Sequence, residues 1–322
     1  MPVVLGLLGA LLFGANGSLT KVVIEAGLSP VQVTQFRTLG SAILAGLMLL
    51  AIDRGAFRIS WRRLVSMAVL GIFGIALLQS TYAVAISLLP VGIALLLEYL
   101  AVLAVAVIAR IFFKEKVKGR VWIAIALVLT GLAVVAKVWD SPLDAVGVLW
   151  GLAAAGFLTF YFIFGERQIN ATSPLAVLFW ASTFAAIFWA FFSGWWELTP
   201  ETFGQSVSLG GALDAVELPL WVPLTSVIVL GSFLPFLLSF FALSKLKATT
   251  AGILASSEII FAFAVAWLWL GEALDIVQVL GAAIVLVGIV LAQTARPGKV
   301  IDPDLALMTG PIPRVAPDRP SS

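Results

Sequence analysis

The chain reads as an all-α integral membrane protein with ten transmembrane helices arranged as two inverted five-helix repeats. Composition, the placement of basic residues and an internal likeness between the halves predict that class. Of 322 residues, 61% are hydrophobic and 11% charged, and the mean hydropathy is +1.12. A soluble domain carries about 25% charged residues, so a water-soluble fold is excluded. Membrane-spanning strands alternate in polarity over about 10 residues, whereas the apolar runs here are twice as long. A bilayer core about 30 Å thick needs roughly 20 apolar residues per helix. Pro, Gly and charge clusters divide the chain into spans at 3–24, 30–52, 63–87, 90–113, 120–139, 144–165, 173–194, 219–242, 248–271 and 275–294.

The basic residues give the spans a direction. Sixteen of the 19 Lys and Arg residues fall in segments that follow even-numbered spans, among them Arg54, Arg58, Arg62, Arg63, Lys114, Lys116, Lys118, Arg120 and Arg296. The opposite side holds Lys21 and Lys137, and Arg37 lies within span 2. Basic loops stay in the cytoplasm, so both termini are expected there, in the cell (inner) membrane. The other side is acidic, with Asp140, Asp144, Glu197, Glu201, Asp214 and Glu217. The pI near 9.0 therefore reports orientation and does not call for a nucleic-acid partner. Span 1 lacks the basic leader of a signal peptide and reads as a retained helix. Several Trp residues, including Trp61, Trp122, Trp221 and Trp267, fall close to span ends, where amphipathic rings favour the headgroup region. Residues 295–322 are rich in Pro and polar groups and read as a disordered cytoplasmic tail.

The third observation is a repeat, with units 1–139 and 140–294. Residues 89–136 resemble 246–293 in pattern: Glu98 answers Glu258 at an offset of 160, and Glu115 answers Glu272 at 157. Gly131 and Gly288 share the second offset, and Ser29-Pro30 answers Ser173-Pro174. Five helices per unit is an odd number, so the second unit enters the membrane from the opposite face. Inverted repeats let one half mimic the other around a central site, which is a transporter arrangement. Small residues for close helix packing, such as Gly14 and Gly17 of span 1 and Gly71 and Gly74 of span 3, are frequent.

Polar groups inside the spans mark the candidate pathway. An ionised side chain at mid-bilayer costs on the order of 2.5–3.5 kcal/mol and usually faces a bundle interior. At about 1.5 Å per residue, Arg37 and Glu98 lie at similar depths, which permits either a fixed ion pair or two binding groups, for a carboxylate and for an ammonium or proton. Glu258 falls near the midplane. A low dielectric favours the neutral carboxyl, so Glu258 is a candidate proton carrier; the alternative is a hydrogen-bonded protonated acid. Asn16, Gln79, Thr81 and Tyr82 complete a possible cavity. Lys21 near a span end needs only to snorkel, and Glu115 and Glu272 read as caps or loop partners. With no Cys and no His, no cofactor is expected, and serine, aspartyl and metal-dependent intramembrane proteolysis lack their groups. A channel and a lipid or polyprenyl flippase are the alternatives to a metabolite exporter.

The opening GALLFGANGSLTKVVIEAGLSPVQVTQFR, the LPVGIALLLEYLAVLAVA of span 4 and the WLWLGEALDIVQVLGAAIVLVGIVL of spans 9 and 10 resemble the EamA family of the drug/metabolite transporter superfamily over residues 3–293. Lys21 and Arg37 stand where that family usually has Lys and Arg. Tyr99 and Ile259 stand where it commonly has Pro after the span Glu, and FKE replaces the first LGE. Span 4 resembles that of threonine/homoserine exporters. The resemblance implies export of small metabolites, amino acids or related amphipathic compounds; the buried carboxyls add the expectation of proton coupling.

Overall fold

The computed structural model describes residues 2–111, 119–135, 143–169, 173–243 and 248–294. Glu115, Lys114, Lys137 and the tail expected at 295–322 lie outside the described residues. The protein is a bundle of apolar helices: α1 Pro2–Glu25, α2 Pro30–Ile52, α3 Trp61–Leu88, α4 Val91–Glu98, α5 Leu100–Ile111, α6 Gly119–Val135, α7 Ala145–Ile169, α8 Pro174–Phe192, α9 from Trp221–Ile228 on to Leu234–Leu243, α10 Ala248–Leu270 and α11 Ile276–Thr294. Among the described residues, six helical stretches are long and apolar enough to cross a membrane, and four shorter apolar ones fall in the remaining expected spans. Large side chains such as Leu47, Phe191, Leu268 and Val287 are exposed on the outside of the bundle, as a lipid solvent requires.

Local sequence sets the helix boundaries. Ser29 caps α2 in a reciprocal capping box with Gln32, with Pro30 in the first turn. Ser173 accepts from the Ala176 N–H at 3.3 Å and starts α8 in the same way before Pro174. Gly27 turns the chain between α1 and α2 at φ +110°, a conformation that strains other residues. Gly271, at φ +71°, ends α10, and the following Glu272 N–H bonds the Ala266 carbonyl at 3.2 Å, a glycine-based stop in the left-handed region. The Gly-Glu pair of LGE thus stops a helix and sends a carboxylate sideways.

Three features depart from unbroken rods. The helix expected at 90–113 is interrupted at Tyr99, between α4 and α5. Helix α3 contains a π-helical turn at Leu70–Ala76, and α9 contains one at Val229–Phe233; such turns free backbone carbonyls and recur at functional sites. The acidic loop at 193–220 carries a small antiparallel hairpin, β1 Ser206–Ser208 on β2 Glu217–Pro219, with Val207 opposite Leu218. Val207 buries itself with Val23, Leu28 and Leu220 at the end of the bundle where α1 gives way to α2. The all-α class holds, and these two three-residue strands are a local feature of the loop where it folds back on apolar helix ends.

Packing pairs come from the two sets of helices. α1 lies on α9 and α10, and α7 lies on α3 and on α4 and α5; α2 runs along α8, and α6 along α11. With α4 and α5 counted as one span, exchanging α1–α6 for α7–α11 in chain order turns the contacts of α1 into those of α7 and returns the α2/α8 and α6/α11 pairs to themselves. Small residues permit the approaches. A Cβ on Gly14 would lie 2.7 Å from the Glu258 carbonyl oxygen, so α1 and α10 touch backbone to backbone. Gly131 of α6 and Gly281 of α11 are reciprocal, each leaving room for the other's carbonyl.

Candidate functional site

Between these helices lies a cavity of about 80 Å³. At about 10–15 Å³ per water-sized occupant, it has room for roughly five to eight non-hydrogen atoms. Asn16, Arg37, Gln79, Tyr82, Glu98 and Glu258, the polar residues singled out in the sequence, all line it. They come from α1, α2, α3, α4 and α10. Thr81 does not join them, because its hydroxyl turns back to the Leu77 and Leu78 carbonyls of its own helix at 2.7 and 2.9 Å.

Arg37 is 9% exposed and is held by the π turn of α9. Its Nε donates to Ser232 Oγ at 2.6 Å and its Nη2 to the Gly231 carbonyl at 3.3 Å. With the Asn16 carboxamide oriented so that Oδ1 faces the guanidinium, that oxygen accepts from Nη1 at 3.2 Å and Nη2 at 2.8 Å. An ion pair with Glu98 at equal depth was one expectation. The guanidinium's hydrogen bonds to Ser232, Gly231 and Asn16 run across to α9 and to α1. The π turn of α9 leaves a backbone carbonyl that an unbroken ladder would use, and Ser232 in the same turn offers its hydroxyl oxygen.

Glu258 is 7% exposed and accepts a hydrogen bond from the Tyr99 hydroxyl at 2.8 Å. The phenol comes from the break between α4 and α5. Tyr82 is buried beside α1, where a Cβ on Gly17 would meet its hydroxyl at 2.6 Å. Glu98, 9% exposed, receives no hydrogen bond from a described residue, and Oε1 of Gln79 is buried without a partner.

The site also includes residues that the sequence reading passed over. Tyr99 carried a signal, as a phenol where relatives commonly have Pro. Ser232 and Gly231 carried a weak one, a Gly-Ser pair within an apolar run. Tyr161 and Ser182, which also line the cavity, carried none. A further polar cluster sits toward the Glu25–Pro30 end of the bundle. Lys21 Nζ pairs with Glu272 Oε1 at 2.6 Å and donates to the Leu89 carbonyl at 3.4 Å, while Glu272 Oε2 accepts the Val91 N–H at 2.7 Å. Glu272 is thus both a cap for α4 and a loop partner. Lys21 does not merely snorkel; it ties α1 to the turn between α10 and α11.

An apolar helical bundle enclosing a small cavity with buried charges contributed by both sets of helices is the arrangement of a membrane transporter for small solutes. The EamA-like transporter family matches residues 1–137 and 145–294, and the chain belongs to that family. It is 24% identical over 277 residues to an uncharacterized transporter of Archaeoglobus fulgidus, covering 84% of this chain and 90% of that one. It is 28% identical over 215 residues to the threonine/homoserine exporter RhtA of Escherichia coli (strain K12), 65% of each chain. A protein crystal structure shares the fold at a TM-score of 0.60 and 14% identity, over 91% of this chain and 96% of that one.

Proposed function

We propose that this protein is a secondary transporter that exports small amino acids or closely related amphipathic metabolites from the cytoplasm by alternating access, with inward proton movement as the driving force. In this reading residues 1–139 and 140–294 are inverted five-helix repeats in the cell membrane, and both termini are cytoplasmic. The observation that carries it is the cavity: six polar residues scattered between positions 16 and 258 converge on a space sized for a small amphipathic solute. The family match in two blocks, 1–137 and 145–294, and the packing pairs that exchange with one another support the repeat. The similarity to an exporter of threonine and homoserine supports the cargo class. The cavity's size favours such a cargo over a polyprenyl lipid.

Glu258 is the proton carrier in this scheme. It lies on the second set of helices, is hydrogen-bonded to the first through Tyr99, and can exchange that bond as the two halves rock. In proteoliposomes with an imposed pH gradient, the wild type concentrates threonine against its gradient. Glu258→Gln retains downhill threonine flux and loses accumulation. Undiminished accumulation by the variant would remove Glu258 from the coupling. Reporter fusions at Gly55 and Gly119 both score cytoplasmic; one scoring external overturns the orientation.

A further inference from the structure

The polar groups of the cavity differ in what they already hold. Arg37 spends its donors on Ser232, the Gly231 carbonyl and Asn16. Glu258 holds the Tyr99 hydroxyl. Glu98 and Gln79 stand apart. Glu98, 9% exposed as a residue, lines the cavity, and no hydrogen bond joins its carboxyl to a side chain of the described residues. Gln79 lines the same space, and its Oε1 is buried without a donor. An ionised carboxylate is acceptor-only, and an amide oxygen accepts twice. Leaving either desolvated and unpaired is costly, more so for the charge. An occupant that brings donors would meet both acceptors at once and would favour the ionised form of Glu98.

We propose that Glu98 and Gln79 form the subsite for the cargo's primary ammonium group, and that Arg37 is a structural tie between the two sets of helices and not a clamp for the cargo's carboxylate. The inference rests on the export reading and narrows it. A free ammonium, with three donors and a positive charge, satisfies both acceptors at once; a carboxylate adds only acceptors. The transported class is then small primary amines, zwitterionic amino acids among them, and the carboxylate is dispensable for recognition.

Three probes separate these roles: L-threonine, its amide, which keeps the ammonium and loses the carboxylate charge, and N-acetyl-L-threonine, which does the reverse. In counterflow with the purified full-length protein in proteoliposomes, without a pH gradient, threonine and its amide are expected to exchange with KM values within about threefold of each other. The N-acetyl compound is expected to lose at least tenfold. Glu98→Gln raises the threonine KM at least tenfold while the maximal counterflow rate stays within a fewfold, and Glu98→Asp recovers part of the loss. Gln79→Leu raises the KM severalfold and provides the same readout should Glu98→Gln fail to fold. Equal exchange of all three probes, or preference for the N-acetyl compound over the amide, overturns the ammonium subsite and leaves the export reading standing. An unchanged KM in Glu98→Gln overturns it as well. No flux of any probe overturns both.

Discussion

The two π-helical turns make the same use of backbone and different use of chemistry. In α3, the turn Leu70–Ala76 leaves the Ala76 carbonyl to accept the indole N–H of Trp189, from α8, at 3.1 Å. In α9, the turn Val229–Phe233 leaves the Gly231 carbonyl to accept from Arg37, from α2, at 3.3 Å. Each turn interrupts the helix ladder, exposes a carbonyl in a dry interior, and is met by a long donor from a helix of the other set. A neutral indole suffices in one place. In the other the donor is a cation, and Ser232 and Asn16 are recruited to hold it. The difference teaches that the same backbone device serves packing in one turn and the anchoring of a buried cation in the other.

The comparison breaks hardest at Arg37. Arg37→Leu strands the Gly231 carbonyl and the Ser232 and Asn16 polar groups, at about 1–3 kcal/mol for each one left buried and unmet. Transport activity is expected to vanish and thermal stability in detergent to fall clearly. Trp189→Phe removes a single neutral hydrogen bond and part of a ring. About 1–2 kcal/mol is expected, with threonine counterflow retained; loss of transport in Trp189→Phe equal to that in Arg37→Leu would erase the distinction between the turns. Tyr99→Phe, which deprives Glu258 of its phenol, is expected to slow transport severalfold without changing the threonine KM, measured over a substrate titration in proteoliposomes. A larger change in KM than in rate would move Tyr99 into cargo recognition.

The Lys21–Glu272 pair offers a smaller effect. At 18% and 14% side-chain exposure it is only partly screened, and a double-mutant cycle of Lys21→Met and Glu272→Gln is expected to give a coupling of about 1 kcal/mol in thermal stability. Additive losses would mean that the Val91 cap, and not the ion pair, is what Glu272 contributes. The smallest effect belongs to Gly156→Ala, since nothing lies within 4 Å of a Cβ there. The change is expected to be neutral or to stabilise α7 by up to about 1 kcal/mol.

The helices were legible because the information for each is local. Apolar runs of about 20 residues, Ser-Pro starts and Gly endings act within a few residues of where they stand, and the structure keeps them at Ser29-Pro30, Ser173-Pro174 and Gly271. Asn16, Arg37, Gln79, Tyr82, Glu98 and Glu258 were legible as a group because a buried polar side chain in an apolar run announces its cost without reference to any partner. Partners were another matter. Depth along a helix axis suggested Glu98 for Arg37, but depth does not fix which way a side chain faces around the axis, and the guanidinium turned to residues about 195 positions away.

What the sequence by itself determined is therefore the class of solvent, the run of helices and the list of buried polar groups, since each follows from transfer free energies of residues and their immediate neighbours. Only the tertiary structure decided that two π turns hand their carbonyls to Trp189 and Arg37, that Tyr99 reaches Glu258, that Lys21 meets Glu272 from 251 residues away, and that Glu98 and Gln79 face the cavity without donors of their own. Hydrogen bonds across helices depend on rotation and register, and these are set by how all the helices pack together, a quantity that no single stretch of the chain contains.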